Sequence, residues 1–410
     1  GAAGHRIGSV MAQSPEMTLG ASKEITLGVM GGGQLGRMFV HAAQQMGFFT
    51  AVLDPDTNSP AGRVSRHHIQ TAYTDPEGLA RLAAVSFAIT TEFENVPAPA
   101  LAELARSRPV APTASAVAIA QDRAAEKAHF VNCGVPCAPY AVIDTPEQLA
   151  AVADNLLPGI LKTTRMGYDG KGQVRVSTRA ELAAAWADLK GVPCVLEKML
   201  PLALECSVLV ARGSDGTCVN LPVQRNLHRD GILAVTEVFE GNLPAALAQR
   251  AVAAAKSIAD GLQYVGVLCV EFFVLDETKP AAAGLGGLVV NEMAPRPHNS
   301  GHYSMDACDL SQFDLQVRTL AGLPLVQPRQ HSPAIMLNLL GDIWPGQGSV
   351  DGAPPWAQVL ALPGTHLHLY GKSRASKGRK MGHLNITSAS VEQVRATALQ
   401  AAKILGIAAF

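Results

Sequence analysis

Nowhere does the chain carry an uninterrupted apolar run of the roughly 18 residues needed to cross a bilayer, because charge or Pro breaks every stretch first. Its apolar fraction is 48%, much of it Ala, so this lack predicts a soluble protein with no membrane partner. Neither sign of charge is in surplus: 33 Lys and Arg stand against 34 Asp and Glu. Without a basic excess there is little to neutralise a phosphate backbone, which argues against nucleic acid as a partner. Paired CxxC spacing is missing too. The seven cysteines (Cys133, Cys137, Cys194, Cys206, Cys218, Cys269 and Cys308) are odd in number and scattered through apolar segments without clustered His. That implies neither a disulfide framework nor a zinc site, and fits reduced core thiols in a cytoplasm. The first 23 residues are rich in Gly, Ala and Ser and lack the apolar segment of a signal peptide, so they read as a tail, disordered or appended, outside the fold. No repeat recurs at a fixed period.

What is present is 410 residues, room for two to four domains of about 150 each. Ile25 to Met30 is a short apolar run ending in Gly31-Gly32-Gly33-Gln34-Leu35-Gly36, after which Leu35, Met38, Phe39, Ala42, Ala43 and Met46 recur at helical spacing. Gly47 suits a C-cap, and Phe49 to Leu53 predicts a second strand ending at Asp54. Strand, turn, helix and strand imply a parallel sheet, here over 24–120. Phe87 to Thr91 adds a strand that delivers Glu92 and Glu94 to the edge where open α/β sheets bind ligands. A second domain, 121–330, opens with a helix from about Ala118 to Cys133 carrying Asp122, Arg123 and Lys127, and holds a small mobile lid at about 140–200. Its runs Val265 to Leu275 and Leu288 to Met293 are joined by a Gly/Ala-rich connector, 276–287, expected as a surface loop. In 331–410, His366, His368 and Tyr370 alternate with Leu367 and Leu369 before an Ala-rich helix near Val391 to Leu405, indicating a small closing domain with strands of its own.

Chemistry-bearing residues fall into five groups. The first glycine turn satisfies G-x-G-x-x-G, with Asp54 placed where a dinucleotide fold would hold a ribose. Any strand-to-helix turn that offers free N–H groups to an anion needs the same glycines, so a phosphate-bearing substrate or a purely structural turn fits equally. The second is Lys162-Thr163-Thr164-Arg165-Met166-Gly167-Tyr168-Asp169-Gly170-Lys171-Gly172-Gln173, between two strands. It lacks the G-K-[ST] ending of a P-loop, and its glycines and cations suit a flexible flap over a triphosphate, or else an exposed basic hairpin tip. Third, Glu271 interrupts one apolar strand and Glu292 follows Val289-Val290-Asn291 on the next. Carboxylates facing each other across a hairpin fit Mg²⁺, which takes one or two of them and completes its shell with water and phosphate; the alternative is two solvated charges pointing outward. Fourth, Pro295-Arg296-Pro297-His298-Asn299-Ser300-Gly301-His302 could hold a small anion or be a self-capped loop. Fifth, Tyr370-Gly371-Lys372 and Gly378-Arg379-Lys380-Met381-Gly382-His383-Leu384-Asn385 form a basic cluster, a site or a solvated patch.

The order of these pieces resembles the ATP-grasp superfamily, and the wording of the motifs is similar to the N5-carboxyaminoimidazole ribonucleotide synthetase family of purine biosynthesis. The similarity runs from about Ile25 to Ile407 and rests on Gly33 to Met38, Glu92 to Val96, Gly167 to Gln173, Asn226 to Ile232, Asn291 to His302 and Gly378 to Asn385. It implies an α/β (α+β overall) chain: an ATP-grasp fold preceded by a Rossmann-like parallel-sheet domain and followed by a small C-terminal domain. By this resemblance Arg123, Lys162 and Gly167, Tyr168, Asp169, Gly170, Lys171, Gly172 and Gln173 meet the phosphates of ATP. Glu197, Lys198, Met199 and Leu200 present backbone to adenine, Glu205 holds the ribose, and His228 completes the pocket. Glu271 and Glu292, helped by Asn291, bind magnesium, with two ions expected.

The resemblance further places Gln34, Leu35 and Glu92 on an aminoimidazole nucleotide, with Tyr168 and Asp169 closing over it and Lys372, Arg379 and Lys380 on its phosphate. Arg296, His298 and Asn299 lie where bicarbonate is held. The implied ligase is a cytoplasmic homodimer acting on small molecules, through carboxyphosphate formed from bicarbonate and ATP. Two departures stand out: Arg165-Met166, where the family flap often has a glycine, and the long connector 276–287. A dehydrogenase, resting on the first glycine turn and Asp54, and a nucleotide sensor without turnover are the rival expectations.

Overall fold

The computed structural model describes residues 24–166, 172–346 and 352–410, so the tail read over 1–23 lies outside them. Four short runs form a parallel sheet of β1 (Thr26–Met30), β2 (Phe49–Leu53), β3 (His67–Ile69) and β4 (Ala88–Thr91), in the order β3-β2-β1-β4. Both faces are covered, which is why β1, β2 and β4 are buried almost throughout. Leu27 and Val29 pack against Met38, Phe39 and Ala43 of the helix Gln34–Gln45 and against Phe313 and Val317 of the helix Gln312–Ala321. Met30, Leu53 and Ile89 join Leu79, Leu82 and Leu101 of the helices Pro76–Val85 and Ala98–Ala105. Each such side chain contributes roughly 1.5–3 kcal/mol when fully buried. The turn after β1 requires glycine, since Gly31 has φ +100° and a Cβ there would come within 2.6 Å of Phe93.

A second, antiparallel sheet comprises β5 (Tyr140–Ile143), β6 (Gly159–Thr163), β7 (Gln173–Val176) and β8 (Cys194–Lys198), in the order β5-β8-β6-β7. The helix Arg179–Asp188 backs it, with Leu182 and Ala185 packed on Leu161, Val176 and Leu196.

The largest sheet is antiparallel and contains β9 (Leu202–Arg212), β10 (Cys218–Asn220), β11 (Gln224–Arg229), β12 (Ile232–Val238), β13 (Gly266–Leu275), β14 (Leu288–Ala294), β15 (Ala334–Leu340), β16 (Thr365–Leu369) and β17 (Lys380–Thr387). Their order is β14-β13-β9-β11-β12-β15-β17-β16, with β10 on the far end of β9. Alternation along β9 sorts its side chains. Val208 and Val210 face the helix Ala245–Gly261 through Ala251, Ala255 and Ile258, whereas Leu209 and Ala211 join Leu315 on the opposite side.

The segment 331–410, expected as a small closing domain with strands of its own, supplies β15, β16 and β17 and joins them to the central sheet. β15 pairs with β12 (Val235↔Leu337) and with β17, so the segment extends the central sheet. Ala334–Leu340 is buried along nearly its whole length, which suits an interior strand rather than an edge. The connector 276–287 is mostly exposed, as expected of a surface loop, and is anchored by Ala282, buried against Leu275 and Val289 with Leu200 and Leu285 packed beside it. All seven cysteines are free thiols, and no helix of the described residues is long and apolar enough to cross a membrane.

Candidate functional site

A cleft of about 750 Å³ lies between the second sheet and the central sheet and reaches the turn after β1. Its floor carries the two acidic side chains singled out in the sequence. Glu271 on β13 and Glu292 on β14 are register partners, and their carboxyl groups share a hydrogen bond. Burial and the charge of Glu292 push Glu271 well above the usual carboxylate range. Burial acts the same way on Glu292, but the Glu271 hydrogen bond and the charges of Arg123 and Lys162 outweigh it and hold Glu292 low. One proton therefore serves both groups. The ladder slips beside them: Glu271 opposes Glu292 while Phe272 opposes Val290, leaving Asn291 as the extra residue of a bulge. The slip lets Asn291 and Glu292, neighbours in sequence, both line the cleft, and Asn291 Oδ1 is buried without a hydrogen-bond partner. Two carboxylates and an unused amide oxygen are a hard-oxygen donor set that fits Mg²⁺, with the shared proton as what a cation would replace.

Behind this pair the charges are matched. Lys162 Nζ on β6 and Lys127 Nζ on the helix Arg123–Asn132 each lie 2.7 Å from a different oxygen of Glu197 on β8. Burial raises the Glu197 carboxyl, but Lys162 and then Lys127 override it and bring it down to about 2. The Glu197 side chain is thus a buried counter-ion. Lys127 had no role in the sequence reading; a signal was its spacing of one helical turn from Arg123. Arg123 Nη1 stands 3.4 Å from Glu292 Oε2. Glu126 was also passed over: it accepts the Met293 N–H, and burial together with the charge of Glu292 raises it to about 8.

Further along, Lys198 N–H donates to Pro139 O and Met199 N–H to Pro158 O, so these two residues of the expected adenine segment can offer a purine only their carbonyl oxygens. Leu200 lines the cleft beside them. Glu205 on β9 and His228 on β11 pair at 2.7 Å, joining two residues read separately. Gln173 lines the cleft from β7, and Gly172 precedes it with φ +70°, where a Cβ would meet Thr163 Oγ1 at 2.7 Å. The expectations for Gly167, Tyr168, Asp169, Gly170 and Lys171 lie outside the described residues.

In the loop after β14, Arg296 Nη2 is 2.8 Å from Glu94 Oε2. Burial lowers the Arg296 pKa, but the Glu94 charge overrides it and keeps the guanidinium charged. His298 Nε2 faces Glu271 Oε1 at 3.8 Å, and burial and then Arg296 hold the imidazole well below its ordinary pKa, hence neutral. Asn299 is less available than expected: its amide pairs reciprocally with Asn338, at 3.0 and 2.5 Å, which leaves it one N–H. His302 is buried, stacked on His383 with ring centres 4.4 Å apart and hydrogen-bonded to Gln312; it serves the core rather than an anion.

Gln34 and Leu35 line the cleft at the start of their helix, yet the glycine turn holds no room for a pyrophosphate. The Glu92 carboxylate already occupies it, accepting hydrogen bonds from the Gly33 and Gly36 N–H groups where a phosphate would lie. Asp54 is equally committed, accepting from Gly32 N–H at 2.7 Å, Asp56 N–H at 2.8 Å and Tyr73 O–H at 2.8 Å. No carboxylate is left for a dinucleotide ribose, so the dehydrogenase expectation loses both supports. At the opposite rim Lys380 lines the cleft, while Lys372 and Arg379 stand just outside its wall. Lys372 Nζ donates to Lys380 O at 2.6 Å, and burial, then Arg379 and Lys380, lower its pKa to about 8. Arg63 donates to Gly371 O, and the Arg37 guanidinium sits against Gly371, so the N-terminal domain adds two cations that the sequence reading missed.

Comparison with known proteins covers nearly the whole described chain. The ribonucleotide synthetase preATP-grasp domain matches residues 25–121, the ATP-grasp domain 128–313, and the phosphoribosylaminoimidazole carboxylase C-terminal domain 334–397. An N5-carboxyaminoimidazole ribonucleotide synthase of Brucella melitensis is 42% identical over 366 residues, 88% of this chain and 95% of that protein. The structure matches an N5-carboxyaminoimidazole ribonucleotide synthetase solved as its ADP complex, with a TM-score of 0.83 and 38% identity over 93% of this chain and 97% of that one. It also matches the Aspergillus clavatus N5-carboxyaminoimidazole synthase solved with ADP and 5-aminoimidazole ribonucleotide, with a TM-score of 0.81 and 30% identity over 93% and 99%.

Proposed function

The chain belongs to the N5-carboxyaminoimidazole ribonucleotide synthase family of ATP-grasp proteins, and from that premise we propose which of its residues carry the reaction. The protein is an ATP-dependent ligase of purine biosynthesis that carboxylates aminoimidazole ribonucleotide. The observation that carries the assignment of roles is the Glu271/Glu292 pair facing a cleft that Arg123, itself 3.4 Å from Glu292, and Lys162 also line.

ATP lies between the second and central sheets. Arg123 and Lys162 neutralise its phosphates, the carbonyls of Lys198 and Met199 meet the purine, and Glu205, oriented by His228, takes the ribose. Glu271, Glu292 and Asn291 would hold magnesium, two ions in this reading, which would supply positive charge against the negative charge that develops on the polyphosphate. Glu197 holds the Lys162 and Lys127 ammonium groups in place.

Arg296 and the neutral His298 hold bicarbonate by charge and by an N–H donor, with the remaining Asn299 N–H beside them. A bicarbonate oxygen attacks the γ-phosphorus in line, the bond to the β-phosphate oxygen breaks, and ADP leaves with carboxyphosphate formed. The substrate amine then attacks the carboxyl carbon, directly or as released CO₂; the carbon–oxygen bond to phosphate breaks and the amine gives up a proton. Positioning and charge neutralisation supply most of the acceleration. Gln34, Leu35 and Glu92 place the nucleotide, and Lys372, Arg379 and Lys380 take its phosphate. The protein works in the cytoplasm as a homodimer in this reading, in keeping with its free thiols, and sedimentation velocity tests the subunit count.

Phosphate release from ATP is the test. It rises when aminoimidazole ribonucleotide and bicarbonate are added together. Stimulation by formate or biotin in their place overturns the substrate assignment, and binding of ATP without substrate-dependent release makes the protein a sensor.

A further inference from the structure

His298 stands at the end of a string of polar side chains buried beneath the central sheet. Thr236 Oγ1 on β12 donates to Asn226 Oδ1 at 2.9 Å, and Asn226 Nδ2 on β11 donates to Ser207 Oγ on β9 at 2.8 Å. Ser207 Oγ donates to Ser300 Oγ at 2.8 Å, and Ser300 Oγ lies 2.8 Å from His298 Nδ1. Thr236, Ser207 and Ser300 have no exposed surface, and Asn226 is buried with them. Hydroxyl and amide groups placed among Leu209, Leu233 and Cys269 are costly unless each finds a partner, and here each does, in one direction.

The direction is set from both ends. An amide N–H can only donate, so Ser207 accepts from Asn226 and turns its own hydrogen toward Ser300, which turns its hydrogen toward His298. At the imidazole, the Ser300 backbone N–H donates to the same Nδ1 at 3.2 Å. A ring nitrogen that receives a backbone N–H carries no proton, so the proton is on Nε2, the atom that faces the cleft. The His298 backbone is clamped as well, its N–H donating to Gln312 Oε1 and its carbonyl accepting from Gln312 Nε2.

We infer that Thr236, Asn226, Ser207 and Ser300 are positioning residues that hold the His298 ring in one tautomer and one orientation, so that a fixed Nε2–H donor meets the bicarbonate oxygen. The inference rests on the assignment of His298 to bicarbonate and extends it to four residues buried behind that ring, of which Asn226 also reaches the cleft lining. Three neighbouring strands spend core positions on the string, and its outlet at the cleft is that imidazole.

The test reads the bicarbonate KM in CO₂-depleted buffer, from ADP formation driven by aminoimidazole ribonucleotide, in Ser207→Ala, His298→Ala and the double variant. His298→Ala lowers kcat/KM for bicarbonate by about 10²-fold. Ser207→Ala raises the bicarbonate KM by about three- to tenfold and leaves the KM values for ATP and the nucleotide within about twofold. In the His298→Ala background Ser207→Ala has no further effect. An unchanged bicarbonate KM in Ser207→Ala, an equal rise in all three KM values, or additivity in the double variant overturns the inference. If Ser207→Ala does not fold, Thr236→Val, which keeps the side-chain volume, is read by the same criteria. An unchanged bicarbonate constant in His298→Ala instead removes the assignment on which the inference stands.

Discussion

Glu197, set between Lys127 and Lys162, and Lys372, set beside Arg379 and Lys380, are buried charges in opposite circumstances. At the nucleotide end of the cleft the cations have their counter-ion before any ligand arrives, and the carboxyl sits at about 2. At the rim, burial and then the like charges of Arg379 and Lys380 bring the lysine down to about 8. The first arrangement is preorganised and stable in itself. The second stores repulsion that a multivalent anion relieves, which is what a phosphate-binding site requires.

Five substitutions, read together with their pH dependence, test this contrast. Glu292→Gln has the largest effect: turnover falls by about 10²-fold or more at saturating Mg²⁺, with the melting temperature nearly unchanged. Unaltered kinetics at both limiting and saturating Mg²⁺ would remove Glu292 from the cation site. Lys127→Met comes next, because it leaves part of the Glu197 charge buried and uncompensated; denaturant unfolding should show a loss of about 3 kcal/mol. The linked pH behaviour follows from the lowered Glu197 carboxyl. Its stabilisation is fully present above the unfolded value near 4.5 and is lost as pH falls through about 2. Glu197→Gln should therefore flatten the unfolding curve in that window, and a slope unchanged by the substitution would contradict the matched-charge picture.

Effects at the rim are smaller. Lys372→Ala raises the nucleotide KM by about tenfold with kcat within about threefold, and in the parent protein that KM climbs as pH passes about 8, where Lys372 loses its proton. Arg379→Ala is the mildest, about threefold in the nucleotide KM, since losing one phosphate contact is partly offset by a more fully charged Lys372. Its pH profile should shift upward, and a profile that stays in place would mean the two cations do not sense each other.

Local pattern made much of this legible in the sequence. The strand, turn, helix and strand from Ile25 to Leu53 could be read because a parallel sheet covered on both faces demands continuous apolar runs. Glu271 and Glu292 stood out as carboxylates inside such runs. What escaped depends on pairings far apart in the chain. The Asn299–Asn338 exchange, the Glu94–Arg296 ion pair and the contacts of Arg37 and Arg63 with Gly371 join segments that no periodicity links. Asn291 was placed with Glu292 by resemblance alone; strict alternation would send them to opposite faces, and only the bulge reconciles them. The pairing of β15 with β12 was not legible either, because an apolar strand does not announce which neighbour it will take.

In the proposed reading Glu271 and Glu292 converge on divalent cations bound to a polyphosphate. Anomalous diffraction from crystals grown with Mn²⁺ and a non-hydrolysable ATP analogue tests it most directly. Density between the two carboxylates and the β- and γ-phosphates is the predicted result; phosphates bound elsewhere, with Glu271 and Glu292 still sharing their proton, would contradict it.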